Sequence, residues 1–112
     1  MTSHVTTHVL DAVLGTPAPG LGVSLSQATI AGHREVATAE TDADGRCRDL
    51  GPEQLEPGTY RLVFDTGTYF SAQGRDHFYP HVTIDFRIEP GQAHYHVPIL
   101  LSPYAYSTYR GS

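Results

Sequence analysis

The side chains best suited to proton chemistry at neutral pH are histidines, and two of them, His94 and His96, lie one residue apart. A histidine ring takes or gives a proton near neutrality without special help. In an extended strand alternate side chains share a face, so His94 and His96 fall together while Tyr95, Val97 and Ile99 take the opposite side. A third histidine, His8, stands in Thr7-His8-Val9-Leu10-Asp11 near the start of the chain. In the middle, Asp44-Gly45-Arg46 reads as a tight turn presenting Arg46 beyond it. Arg48 would share a face with Arg46 if that segment is extended, so phase alone does not separate the two. The chain closes on Tyr109-Arg110-Gly111-Ser112. A chain end is ordinarily the least constrained part of a domain, yet this one carries aromatics, an arginine and a small terminal residue, as a docked tail would.

These residues admit more than one chemistry. Ring nitrogens borne at i and i+2, about 6–7 Å apart at the backbone, can converge on one metal. With His8 added, a three-histidine zinc site with an open water position is conceivable. The plain alternative is a histidine pair on a polar face with one member exposed. Asp42, Asp44 and Gly45 have the spacing of a calcium loop, but position 51 is glycine where a bidentate glutamate belongs. Cys47 reads as a small packed residue, with no motif around it to make a nucleophile. Tyr104, Tyr106 and Tyr109 suit an edge strand with buried rings and wet hydroxyls. Arg110 and Ser112 are not needed for packing.

The elements that must position these groups are short strands. Eleven glycines and eight prolines are scattered singly through 112 residues, as turns between many strands would place them. Strands are expected over residues 3–10, Gly22–Thr29, Glu35–Thr41, Tyr60–Asp65, His81–Glu89 and 93–101, with a final stretch Tyr104–Arg110. In the cleanest of them Val82, Ile84, Phe86 and Ile88 point inward. In the first, Val5, Thr7 and Val9 share one face and His4, Thr6, His8 and Leu10 the other. A short helix fits only within Thr66–Gly74. About seven short strands with at most one helix indicate a single antiparallel β-sandwich domain over residues 1–112.

Charge and cysteine content narrow the partners. A net charge of −5 provides no basic stripe for nucleic acid. One cysteine forbids an intrachain disulfide and suits a reducing compartment. No export signal is visible, and no apolar run approaches the roughly 20 residues that span a bilayer. A soluble cytoplasmic protein is the expectation.

Four stretches carry a resemblance. Thr7 to Asp11, Thr41 to Arg46, His94-Tyr95-His96-Val97-Pro98 and Ser107-Thr108-Tyr109-Arg110-Gly111-Ser112 occur in the right order along the whole chain. Together they resemble the 5-hydroxyisourate hydrolases, also called transthyretin-like proteins. Ala105 departs from the pattern, which has glycine there, at some cost in turn freedom. The resemblance implies an all-β, transthyretin-like antiparallel sandwich of seven to eight strands with one short helix. It implies metal-free and cofactor-free hydrolysis of 5-hydroxyisourate to 2-oxo-4-hydroxy-4-carboxy-5-ureidoimidazoline, a step of urate degradation. It assigns His8, Arg46 and His96 to catalysis, and His8, Arg46, Tyr109 and Ser112 to substrate binding. It also implies a homotetramer, a dimer of dimers, with sites in a groove between subunits. On the same fold a small-ligand carrier without catalysis, or a His-ligated zinc hydrolase, is the alternative.

Overall fold

The computed structural model describes residues 2–112. Its elements follow the alternation of the sequence: β1 (Val5–Asp11), β2 (Thr16–Pro17), β3 (Gly22–Thr29), β4 (Gly32–Glu40), β5 (Arg46–Cys47), β6 (Gly58–Phe64), α1 (Thr66–Ala72), β7 (Val82–Ile88), β8 (Tyr95–Ser102) and β9 (Ala105–Thr108). The expected strand ends agree within a few residues, and β3 agrees at both ends. Asp65 caps α1 by accepting from the Thr68 amide at 3.4 Å. No helix among the described residues is long and apolar enough to cross a membrane.

Two sheets face each other. One runs β4-β3-β6-β7 and the other β2-β1-β8-β9, with β5 also paired to β1. Between them lies one buried cluster that includes Val5, Val9, Leu25, Leu62, Phe64 and Ile99. Within β7, Val82 and Ile88 are fully buried, whereas Ile84 and Phe86 are half-buried against the same core. Ala105 enters β9 without a positive φ, so the turn before it makes no demand for glycine.

Among the described residues every strand pairing is antiparallel except β1 with β8. The parallel register sets Thr6 opposite His96 and His8 opposite Pro98. On the other side of β1, β5 sets Arg46 opposite His8. Facing residues of adjacent strands project to the same side of a sheet. The inward row of β1 and β8 (Val5, Val9, Tyr95, Val97, Ile99) therefore enters the core, and Thr6, His8, Arg46 and His96 share the outer face.

The end of β1 is pinned by Asp11, whose side chain is fully buried. It accepts from Tyr69 Oη at 2.9 Å, Arg75 Nη1 at 2.7 Å, and the amides of Val13 and Leu14 at 3.1 Å each. Burial alone would raise its pKa, but the hydrogen bonds from Arg75, Leu14 and Tyr69 outweigh that and hold it below the usual 3.8. Asp11 thus ties the histidine-bearing strand to α1 and the segment after it. Removing one partner of a buried pair costs about 3–5 kcal/mol, comparable with emptying a core leucine site. Asp11→Ala should lower unfolding free energy by that amount in urea titrations at pH 7. The carboxylate's contribution is present above about pH 4 and lost as pH falls through the depressed pKa. An Asp11→Ala chain as stable as the parent would refute this role.

Candidate active site

The turn before β5 is built by one carboxylate. Asp42 Oδ1 accepts from the amides of Asp44 at 2.9 Å and Arg46 at 3.0 Å, closing the turn. Gly45 has φ +74°, and a Cβ there would lie 2.5 Å from the Val9 carbonyl oxygen. Only glycine lets the turn press this closely against β1, where the Gly45 carbonyl accepts from the Val9 amide at 2.8 Å. Arg46 is thereby delivered beside His8.

On the outer face a cavity of about 200 Å³ is lined by Thr6, Arg46, Arg48, His94, His96 and Ser112, among others. His8 stands in the same rows, between Arg46 and Pro98. Thr6 is 5% exposed, and its Oγ1 lies 2.8 Å from His96 Nδ1 and 3.1 Å from His94 Nε2. The two histidines therefore do share a face, through a threonine that holds both. Burial, with the Arg46 guanidinium and the His8 and His94 rings nearby, holds the His96 imidazole below the usual 6.5. His96 is accordingly neutral at pH 7 and able to accept a proton. Both arginines face this cavity, as their shared phase implied. They differ in attachment: Arg48 is exposed and ion-paired to Asp42 at 3.4 Å, while half-buried Arg46 abuts His8. Among the described residues, no three of His, Cys, Asp or Glu gather as metal ligands.

The tail closes the cavity. The Gly111 amide donates to the His96 carbonyl at 2.8 Å, and Thr108 Oγ1 donates to the Pro98 carbonyl at 2.8 Å. Arg110 does have a packing role, contrary to the sequence reading. Its guanidinium lies 4.8 Å from the Tyr95 ring centroid and donates to Gln92 Oε1 at 3.1 Å. Ser112 consequently ends in the cavity. Tyr109 does not: it lines a neighbouring, larger and more apolar cavity with Ile84, Phe86 and Val97, for which His96 is the shared wall. The expected burial of the tyrosine rings also fails within one chain, where Tyr104, Tyr106 and Tyr109 are exposed. Tyr106 meets Tyr79 edge-on with ring centroids 5.4 Å apart, yet stays 40% exposed. Cys47 is a buried thiol whose pKa burial pushes up to about 11, unsuited to nucleophilic work.

Sequence reasoning missed Thr6 as a member of the site, although it placed Thr6 on the face of His8. Knowing that β1 lies beside β8 would have found it. It also missed His4, which is buried and accepts from the Leu55 amide at Nδ1, 2.8 Å away. That bond leaves Nε2–H to donate to the Gln92 carbonyl at 2.8 Å, so His4 is a structural strut.

The transthyretin family model, described as HIUase/Transthyretin family, matches residues 5–111. The chain belongs to that family. It is 48% identical over 113 residues to the 5-hydroxyisourate hydrolase of Mus musculus, covering 98% of this chain and 96% of that one. The 5-hydroxyisourate hydrolase structure from Klebsiella pneumoniae superposes with a TM-score of 0.87 at 39% identity, covering 98% and 100% of the two chains. Sea bream transthyretin in complex with thyroxine superposes at 0.91 with 38% identity, covering 96% and 94%.

Within this cavity's wall, Gly111 has a clear steric duty. A Cβ there would sit 2.6 Å from His96 Cδ2, closer than real contacts allow. Gly111→Ala should displace the His96 ring or undock the tail, moving the His96 ring resonances in NMR spectra and leaving β3 and β4 unperturbed. Unmoved His96 resonances would contradict this packing.

Proposed function

We propose that this chain, acting as one transthyretin-like domain over residues 1–112, is a 5-hydroxyisourate hydrolase. It opens the six-membered ring of its substrate by adding water to a cyclic amide. The observation that carries this reading is the neutral His96 in one cavity with Arg46, with His8 paired opposite Arg46 in the neighbouring strand, combined with hydrolase relatives at 41–48% identity over nearly all of this chain. Ring opening needs a proton acceptor for water, a donor for the developing oxyanion and a holder for a flat polar ring. His96 and His8 serve the first need. Arg46, always charged and forked, serves the second and can also hold ring carbonyls. Ser112 binds the heterocycle from the tail. Tyr109, turned from that cavity within one chain, would meet substrate where a second subunit closes the groove. No cofactor enters these steps.

The likeness to a thyroxine-bound transthyretin supports a rival, a small-ligand carrier of the same shape. Fold does not choose between them. A hydrophobic ligand channel has no use for two histidines and an arginine on one wall, which favours the enzyme. A homotetramer with interfacial sites fits the outer sheet face. Leu10 and Leu100 pair there beyond the histidines, Leu100 is exposed, and Val13 and Leu14 stand exposed on the turn after β1. Apolar surface of that kind is ordinarily covered by a partner. One free, buried thiol suits the cytoplasm.

The test follows ultraviolet absorbance as 5-hydroxyisourate, generated from urate, decays with and without the protein. Acceleration proportional to protein concentration and unaffected by chelator is expected; its loss to chelator would instead indicate the three-histidine zinc site. His8→Ala and Arg46→Ala should each cost about 10²-fold or more in turnover with the fold intact, and near-normal activity in either would sink the assignment. The lowered His96 pKa predicts that activity falls on acidification only below 6.5, as the ring becomes protonated. A decline already complete at pH 7 would contradict that base.

A further inference from the structure

We propose that Thr6 and His94 form a proton relay to His96, making Thr6 a positioning residue for the hydrolysis rather than a strand filler. The inference rests on the hydrolase reading above. Its basis is geometric. Thr6 Oγ1 is 2.8 Å from His96 Nδ1 and 3.1 Å from His94 Nε2, and it has no third partner among the described residues. A hydroxyl has one proton and two lone pairs. Two ring N–H groups could both be accepted, but the hydroxyl proton would then have no partner, so Thr6 satisfies its own proton only by donating to one ring and accepting from the other. The two rings are therefore tautomerically coupled: of the two nitrogens facing Thr6, one carries a proton and the other does not.

One arrangement suits a base. His96 Nδ1–H donates to Thr6, Thr6 donates to His94 Nε2, and His96 Nε2 is bare. That nitrogen has no hydrogen-bond partner among the described residues, and His96 lines the cavity. When water gives its proton to His96 Nε2, Nδ1 passes its proton to Thr6 Oγ1, and the threonine proton moves to His94 Nε2. The positive charge leaves a half-buried ring beside Arg46 for an exposed one that water can solvate. The hydroxide forms the new C–O bond at the ring carbonyl. As the C–N bond breaks, His96 Nε2–H supplies the departing nitrogen with its proton, and the relay runs back to restore Nδ1–H. Water's hydroxyl ends on carbon and its proton on nitrogen, so nothing else is consumed.

The register explains why this position is a threonine. Thr6 faces His96 across the parallel pair, in a strand where a β-branched residue is at home, and the serine or threonine hydroxyl is short enough to reach both rings. Valine has nearly the same shape without the hydroxyl. Thr6→Val should therefore fold normally and lower kcat by about tenfold or more with KM within about twofold, because the lost group assists the proton step and does not touch substrate. Thr6→Ser should restore most of kcat. His94→Ala should cost kcat in the parent and add little in the Thr6→Val background, since the two residues act as one unit.

The decisive experiment measures steady-state kcat and KM for parent, Thr6→Val, Thr6→Ser, His94→Ala and the double variant. Imidazole ¹⁵N chemical shifts of His94 and His96 are recorded on the same proteins without substrate. Expected are non-additive kcat losses, rescue by serine, and a change in the His96 tautomer in Thr6→Val. A parent-like kcat in folded Thr6→Val, or independent multiplicative losses for Thr6 and His94, would overturn the relay. An inactive parent would overturn the hydrolase reading itself and the relay with it, a different result from an inactive variant.

Discussion

The parallel pairing of β1 with β8 is the contact on which the site depends. It joins segments about ninety residues apart in the chain and, among the described residues, is the one parallel pair in two otherwise antiparallel sheets. Its register sets a threonine against His96 and a histidine against Pro98. A slip of β1 by one residue would turn Thr6 and His8 toward the core and Val5 and Val9 toward water, while His96 and Val97 kept their sides. Burial of the inward apolar row therefore stabilises the same register that the chemistry needs. Asp11 strengthens that choice from the end of β1, because its buried carboxylate is satisfied only when α1 and Arg75 lie where they do.

Two short pieces of irregular backbone complete the arrangement. The Asp42–Arg46 turn spends a carboxylate and a left-handed glycine on pressing against β1, and the result is a guanidinium beside His8. The tail uses Gly111 to pass under the His96 ring and Arg110 to lie over Tyr95. Neither piece contributes much to the core. Both determine where a charged or hydroxylic group stops, which is why their residue types look excessive for turns and ends. The rings of Tyr104, Tyr106 and Tyr109 and the side chain of Leu100 stay exposed within one chain.

Much of this was legible in the sequence, for physical reasons. Period-two alternation located β3, β6 and β7, and the stretch bearing Tyr69, Phe70 and Ala72 and stopping at Gly74 located α1. The shared phase of His94 with His96, and of Arg46 with Arg48, survived into three dimensions because strand geometry leaves side chains no other choice. What alternation cannot show is which strand lies beside which. Thr6 was therefore only a polar residue on the face of His8, Asp11 only the end of a motif, and His4 only another strand histidine. Arg110 looked superfluous to packing because its partner, Tyr95, comes from a strand whose alignment with the tail follows from the hairpin and the Gly111 bridge. The terminal tyrosines do lie along an edge, but their rings are exposed because the tail takes the outermost place in its sheet.

The central claim is that substrate is held on the outer face of β5, β1 and β8, and not in the larger apolar cavity between β7 and the tail. Titrating the protein with a stable purine-like trione or dione analogue that does not react, and following backbone and histidine-ring resonances by NMR, tests it directly. The account predicts saturable shifts at Thr6, His8, Arg46, His96 and Gly111, with Ile84 and Phe86 little changed. Shifts concentrated at Ile84, Phe86 and Val97, with His8 and Arg46 unmoved, would contradict it and point to a carrier that binds at the edge of the sandwich.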